Sequence, residues 1–221
     1  MEVMSAQLAL LSILGTLAIG AISPGPSFVV VVRAAAALSR RDGLASALGM
    51  GLGGMVFSGL ALGGLQALLM HVDWLYMALK VAGGAYLVYL GIRLWRGART
   101  PLAVAADDAR PATRGLRRSF LIAFATQLSN PKTAIWYASI FAAFLPAHVP
   151  VWMFWALPPL TFAVEMTWYT IVAVLFSSSR PRAAYLRGKH WIDRVAGGVV
   201  TALGGRLIVE ALRATPAAVL R

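Results

Sequence analysis

The stretch "SNPKTAIW" at residues 129–136 places an asparagine, a proline and a lysine in succession inside an otherwise apolar run. Hydrocarbon rewards none of them. A lysine at the centre of a membrane helix costs about 2.5–3.5 kcal/mol on insertion scales, so Lys132 needs a reason to be there. Pro131 lacks an N–H and frees a carbonyl about four residues earlier, near Gln127. Ser129 and Asn130 add neutral hydrogen-bonding groups. A second interruption, "ISPGPS" at 22–27, carries Ser23, Pro24, Gly25 and Pro26. Freed carbonyls suit an ammonium, and the N-terminus of the following half-helix suits a carboxylate. A zwitterionic amino acid has both groups, and Lys132 offers its carboxylate a full charge. These eight residues are the candidate substrate-binding set. The competing role is packing, with prolines that only kink helices and Lys132 snorkelling to an interface.

Few other charges fall inside apolar runs. Glu165 lies in "TFAVEMTWYT", with Trp168 and Tyr169 on the same helical face at i+3 and i+4. A carboxyl withdrawn from water can take and release a proton at a working site, which makes Glu165 the candidate proton-coupling group. The alternative is an ion pair with Lys132 or Lys80 that only fixes helix packing. Arg206 and Glu210, spaced i, i+4, read as a structural pair. Lys80 is near enough to a span end to snorkel. Enzyme chemistry finds little support. His71, His148 and His190 read as isolated loop residues, and no G-x-x-x-x-G-K-[ST] phosphate loop occurs. No protease constellation or cofactor motif is present. Cysteine is absent, which removes disulfides and thiolate metal sites.

Composition says what must position these groups. Of 221 residues, 59% are hydrophobic and only 13% charged, whereas soluble domains average about a quarter charged. The chain therefore reads as an all-α membrane protein. Six apolar segments, near Gln7–Val32, Ala45–Leu69, Trp74–Leu94, Phe120–Leu145, Trp152–Phe176 and Val195–Leu212, have spanning length. The first lacks the basic flank of a secretory signal and is expected to stay attached. The net charge of +12 raises nucleic acid as a partner. The basic residues, however, cluster between apolar runs. Arg33, Arg40 and Arg41 mark the first loop, Arg93 to Arg118 the third, and Arg180 to Arg194 the fifth. The second and fourth loops hold none. The positive-inside rule then puts the odd loops in the cytoplasm and both termini outside. Trp74, Trp95, Trp152 and Trp191 sit where interfacial anchors belong.

The longest loop, about Trp95–Ser119, divides the chain into two three-helix repeats, 1–106 and 107–221, within one transmembrane domain. "VAGGAYLVYLGIRL" at 81–94 parallels "VAGGVVTALGGRL" at 195–207, and the two proline breaks match in kind. An odd number of spans per repeat inverts one against the other. Broken helices at equivalent points of inverted repeats mark transporter sites. The second span carries Gly49 and Gly53, and Gly59 and Gly63, each pair four apart as in a close-packing face.

The segments "SPGPSFVVVVRAAAALSRRDGLASALGMGLG", "LKVAGGAYLVYLGIRL" and "SFLIAFATQLSNPKTAIWYASIFAAFLP" resemble, in order, hallmark segments of the lysine exporter (LysE/RhtB) family of amino-acid effluxers. The resemblance covers nearly the whole chain. It implies export of amino acids or related small metabolites from the cytoplasm, by proton antiport, across a bacterial inner membrane. One departure stands out: many members carry an acidic residue in the second span where Gly53 and Gly54 stand here, so that carboxylate is absent or comes from another span. A metal-ion exporter of the same superfamily is the alternative, disfavoured for soft metals by the lack of Cys and intramembrane His. A membrane scaffold without transport leaves Lys132 and Glu165 unexplained. A single buried acid near the site disfavours a dicationic side chain such as lysine's. Association as a homodimer is left open.

Overall fold

The structure is a computed structural model and describes residues 2–22, 24–69, 73–100, 115–146 and 148–214. Within them the chain is helical, in the order α1 (Glu2–Ile22), α2 (Pro26–Arg33), a π-helical turn (Ala34–Leu38), α3 (Arg40–Leu69), α4 (Asp73–Gly97), α5 (Leu116–Ser129), α6 (Pro131–Phe144), α7 (Val151–Phe176) and α8 (Ser179–Ala214). The first and fourth apolar segments are thus broken helices. In each break a proline opens the second half: Pro26 follows Gly25, and Pro131 follows Asn130. Proline suits a first helical position because its missing N–H has no helical partner there.

One expectation from sequence needs correction. The fifth loop is not a loop, because α8 begins at Ser179 and carries Arg187, Lys189, His190 and Arg194 on helix. Pro181 falls in its first turns, where proline is tolerated, and Ala, Leu and Lys continue the helix past the lone Gly188. Among the described residues, three helical stretches are long and apolar enough to cross a membrane: Arg40–Gly64, Val151–Phe176 and Ala183–Leu212. Ala6–Ile22 with Pro26–Leu38 makes a fourth if the pair, bent by 60°, is one span. The proline break divides the fourth apolar segment into α5 and α6, of 14 residues each. The chain is a multi-pass membrane protein. Trp95, Trp152 and Trp191 are exposed, while Trp74 and Lys80 lie outside the side chains described.

Helix α3 starts at Arg40 because the Ser39 side chain caps it. The Ser39 hydroxyl accepts from the Asp42 N–H at 3.1 Å and donates to its carboxylate at 2.5 Å. The other Asp42 oxygen accepts from Ser119 on α5 at 2.7 Å, which fastens the two helices. Packing then follows the small residues. Gly49 and Gly53 abut α5, where a methyl group on Gly49 would come 2.5 Å from the Phe120 carbonyl. Gly59 and Gly63 face open space instead, so only the first half of that glycine face packs.

The most extensive helix pairing joins α4 to α8, running antiparallel. Gly84 meets Gly204, and Gly91 meets Gly197, so each VAGG segment packs against the LG step of the other. Elsewhere α1 touches α6 and α7, and α2 and α3 each touch α5. A Cβ on Gly204 would stand 2.5 Å from the Gly84 carbonyl oxygen and 2.8 Å from the Val88 nitrogen, both backbone atoms of another helix. Gly204→Ala should therefore lower the unfolding temperature in detergent, at an overpacking cost of about 1–3 kcal/mol. Gly205→Ala, with nothing within 4 Å, should leave it unchanged. Equal behaviour of the two variants would contradict this packing.

Two apolar clusters fill the interior. One gathers Ile13, Leu17, Trp136, Tyr137, Phe141, Met153 and Leu157. The other gathers Phe28, Val31, Tyr169, Val172, Phe176 and Tyr185. Along α7, Glu165 falls between the residues of the first cluster and those of the second.

Candidate functional site

Asn130 organises the break between α5 and α6. Its side-chain oxygen accepts from the Lys132 N–H at 3.0 Å, capping α6, and its amide donates to the Ser27 hydroxyl at 3.0 Å. One residue thus caps one half-helix and ties it to the other. The Ser27 hydroxyl donates onward to Gln127 Oε1 at 2.6 Å. The Gln127 amide reaches one oxygen of Glu165 at 3.4 Å, and the Tyr137 hydroxyl donates to the other at 3.0 Å. Every member is buried, and each donor points along the chain toward Glu165. Such a chain is self-reinforcing in a low-dielectric interior. It joins α2, α5, α6 and α7 at the point where both broken helices meet.

The carbonyl expected to be free at Gln127 is not free, because it accepts from the Asn130 N–H at 3.3 Å. The chain turns at the break tightly enough for that nitrogen to replace the missing helical donor. An ammonium site there is therefore not supplied by Gln127. Glu165 takes its hydrogen bonds from Tyr137 and Gln127, which gives it partners other than the lysines considered from sequence. Glu165 also fills the space beside the second-span glycines: a methyl on Gly54 would meet Glu165 Cγ at 2.9 Å and the Tyr137 hydroxyl at 2.7 Å. Glu165 of α7 thus packs its side chain directly against that glycine of the second span.

Two cavities share a wall. The larger, about 780 Å³, runs from Gly20, Trp136 and the two breaks to Gly97 and Thr100 at the end of α4. The smaller, about 30 Å³, lies around Glu165, Gln127, Ser27, Tyr137 and Tyr169, a space for water-sized occupants. Gly20, Gly25, Asn130, Lys132 and Trp136 line both. Lys132 Nζ lies 3.4 Å from where a Cβ on Gly25 would be, an ordinary van der Waals contact. Gly20, by contrast, makes room for the Trp136 ring, which would overlap any side chain there.

Of the residues singled out from sequence, Pro24, Gly25, Pro26, Asn130, Pro131 and Lys132 line the large cavity. Ser129 lines neither; it is exposed, and its hydroxyl turns back to the Thr126 carbonyl. Ser23 lies outside the described residues. Tyr169 joins Glu165 at the small cavity, but Trp168 does not. Arg206 and Glu210 do pair, at 2.7 Å on an exposed face. Sequence reasoning passed over Ser27, Tyr137, Trp136 and the side chain of Gln127, although Ser27 stands inside "SPGPS" and Gln127 is an amide one turn before "NPK".

Residues 18–211 match the LysE type translocator family. The chain is 35% identical over 188 residues to the threonine efflux protein of Escherichia coli (strain K12), covering 85% of this chain and 91% of that protein. The threonine efflux protein of Salmonella typhi matches with the same identity and coverage. The leucine efflux protein of Enterobacter sp. (strain 638) is 29% identical over 123 residues, 55% of this chain and 56% of that protein. No solved structure matches.

Proposed function

This chain belongs to the LysE type translocator family, and we propose from that premise that it exports a zwitterionic amino acid with a neutral side chain, exchanged for a proton. The observation that carries the reading is the position of Lys132. It stands at the N-terminus of a half-helix, in the wall between a cavity large enough for an amino acid and a small one built around a carboxyl. The substrate carboxylate meets the Lys132 ammonium and the α6 N-terminus, where charge and helix dipole act together. The large cavity is lined by three cationic side chains, Arg93, Lys132 and Lys189, against one carboxylate, Asp193. That balance disfavours a second positive charge on the cargo. Threonine, named for the relatives above, fits the requirement.

Glu165 is the proton carrier in this reading. Its hydrogen-bonded chain ends at Asn130, a wall residue of the large cavity, so protonation and substrate occupancy share one set of groups. The two-repeat, six-span architecture draws support from the matched Gly25-Pro26 and Asn130-Pro131 breaks and from the reciprocal glycine contacts of α4 and α8. The paired contacts α1–α6 with α2–α5, and α1–α7 with α3–α5, agree with it. With both termini outside, the end of α4 is cytoplasmic, and the large cavity faces the compartment from which cargo is collected.

Overexpression in bacterial cells tests the function. The medium should gain a neutral amino acid such as threonine relative to an empty vector, with no gain in lysine or arginine. A rise confined to basic amino acids, or none at all, would contradict the reading.

A further inference from the structure

Asp193 is a buried charge whose hydrogen bonding is incomplete among the described residues. It is 2% exposed and lines the large cavity. One carboxylate oxygen accepts from Lys189 at 2.6 Å, and Lys189 is held in turn by the Thr100 carbonyl at 3.2 Å. The other oxygen is buried and has no hydrogen-bond partner among the described residues. A carboxylate oxygen withdrawn from water and left unmatched costs free energy unless something occupies it in the working state.

We infer that Asp193 receives the α-ammonium group of the transported amino acid, with Lys189 as the residue that positions it. The inference rests on the reading that the cargo is an amino acid held by its carboxylate at Lys132, and it names the second pole. Lys132 and Asp193 line the same cavity. A zwitterion between them presents each charge to its opposite. Aromatic rings elsewhere in the same cavity suit a cation as well: Tyr86 and Tyr89 line it with ring centroids 5.9 Å apart, and aromatic faces attract ammonium groups. Lys189 fixes one oxygen and leaves the other to accept, so the pair is a holder for Asp193 as well as an ion pair between helical neighbours. The freed helix carbonyl that the sequence suggested for the ammonium is occupied, and Asp193 takes its place.

The test measures binding to purified protein of L-threonine and of 3-hydroxybutanoate, which keeps the carboxylate and lacks the amino group. Asp193→Asn should weaken L-threonine about ten- to a hundred-fold, as loss of a charged hydrogen bond does, and leave 3-hydroxybutanoate within about twofold. Because Asp193→Asn strands the Lys189 charge, the double variant Lys189→Met/Asp193→Asn removes both charges and should show the same selective loss. Unchanged threonine affinity in either folded variant, or equal loss for both ligands, overturns the assignment. Wild-type protein that binds both ligands equally also overturns it, while leaving the carboxylate site at Lys132 standing. Wild-type protein that binds neither overturns both.

Discussion

Glu165→Gln is expected to abolish the accumulation of L-threonine against its gradient in proteoliposomes whose interior is more acid than the bath. Downhill exchange of threonine across the same membranes should persist. The amide keeps the shape of the side chain and an oxygen for the Tyr137 hydroxyl, now 3.0 Å away. It cannot take or release a proton. The expected pattern is therefore a loss of coupling, with cargo recognition at the neighbouring wall retained. Uphill accumulation at the wild-type rate by Glu165→Gln would make the carboxyl a packing group and send the proton by another route.

Lys132→Met should weaken L-threonine binding by about 1.5–3 kcal/mol, the range for a hydrogen bond to a charged group, or roughly ten- to a hundred-fold. Methionine keeps an unbranched apolar stem that packs beside Gly25 as the lysine stem does and removes the charge. Threonine amide, which has no carboxylate, should lose far less. If Lys132 serves packing alone, the pattern reverses: the variant expresses or folds poorly, and whatever survives binds normally. Affinity and thermal stability measured together on wild type and Lys132→Met separate the two. Unchanged threonine affinity in a well-folded Lys132→Met removes the lysine from the site.

Much of the helical plan was legible because apolar runs and their breakers are local signals. Pro26 and Pro131 announced the two breaks, and each does open a half-helix. The start of α8 was misread for the opposite reason. Arg180 to Arg194 looked like a charged loop, yet a basic stretch without an effective breaker is free to be helix. Glycine spacing was informative only in part: Gly49 and Gly59 carry the same four-residue pattern, but only Gly49 has a helix against it. Which face receives a neighbour is a property of the bundle and not of the spacing.

The site was legible where it is costly and hidden where it is cheap. Lys132 and Glu165 stand out because charge in hydrocarbon is expensive. Ser27, Gln127 and Tyr137 are neutral and pass unnoticed in an apolar helix, although together they make the chain that reaches Glu165. Asp193 hid among loop-like charges until α8 carried it to the cavity wall. Gly54 had an outward sign, the missing acidic residue of the second span. Its partner could be found only across helices, from the 2.9 Å approach of Glu165 to the space its own side chain would fill.

The wild-type arm of the proteoliposome experiment tests the central claim most directly. Radiolabelled L-threonine in the bath should accumulate inside vesicles with an acid interior, above its outside concentration. Collapse of the proton gradient should release it. Uptake no greater than in protein-free liposomes, or accumulation indifferent to the proton gradient, would contradict export of an amino acid in exchange for a proton.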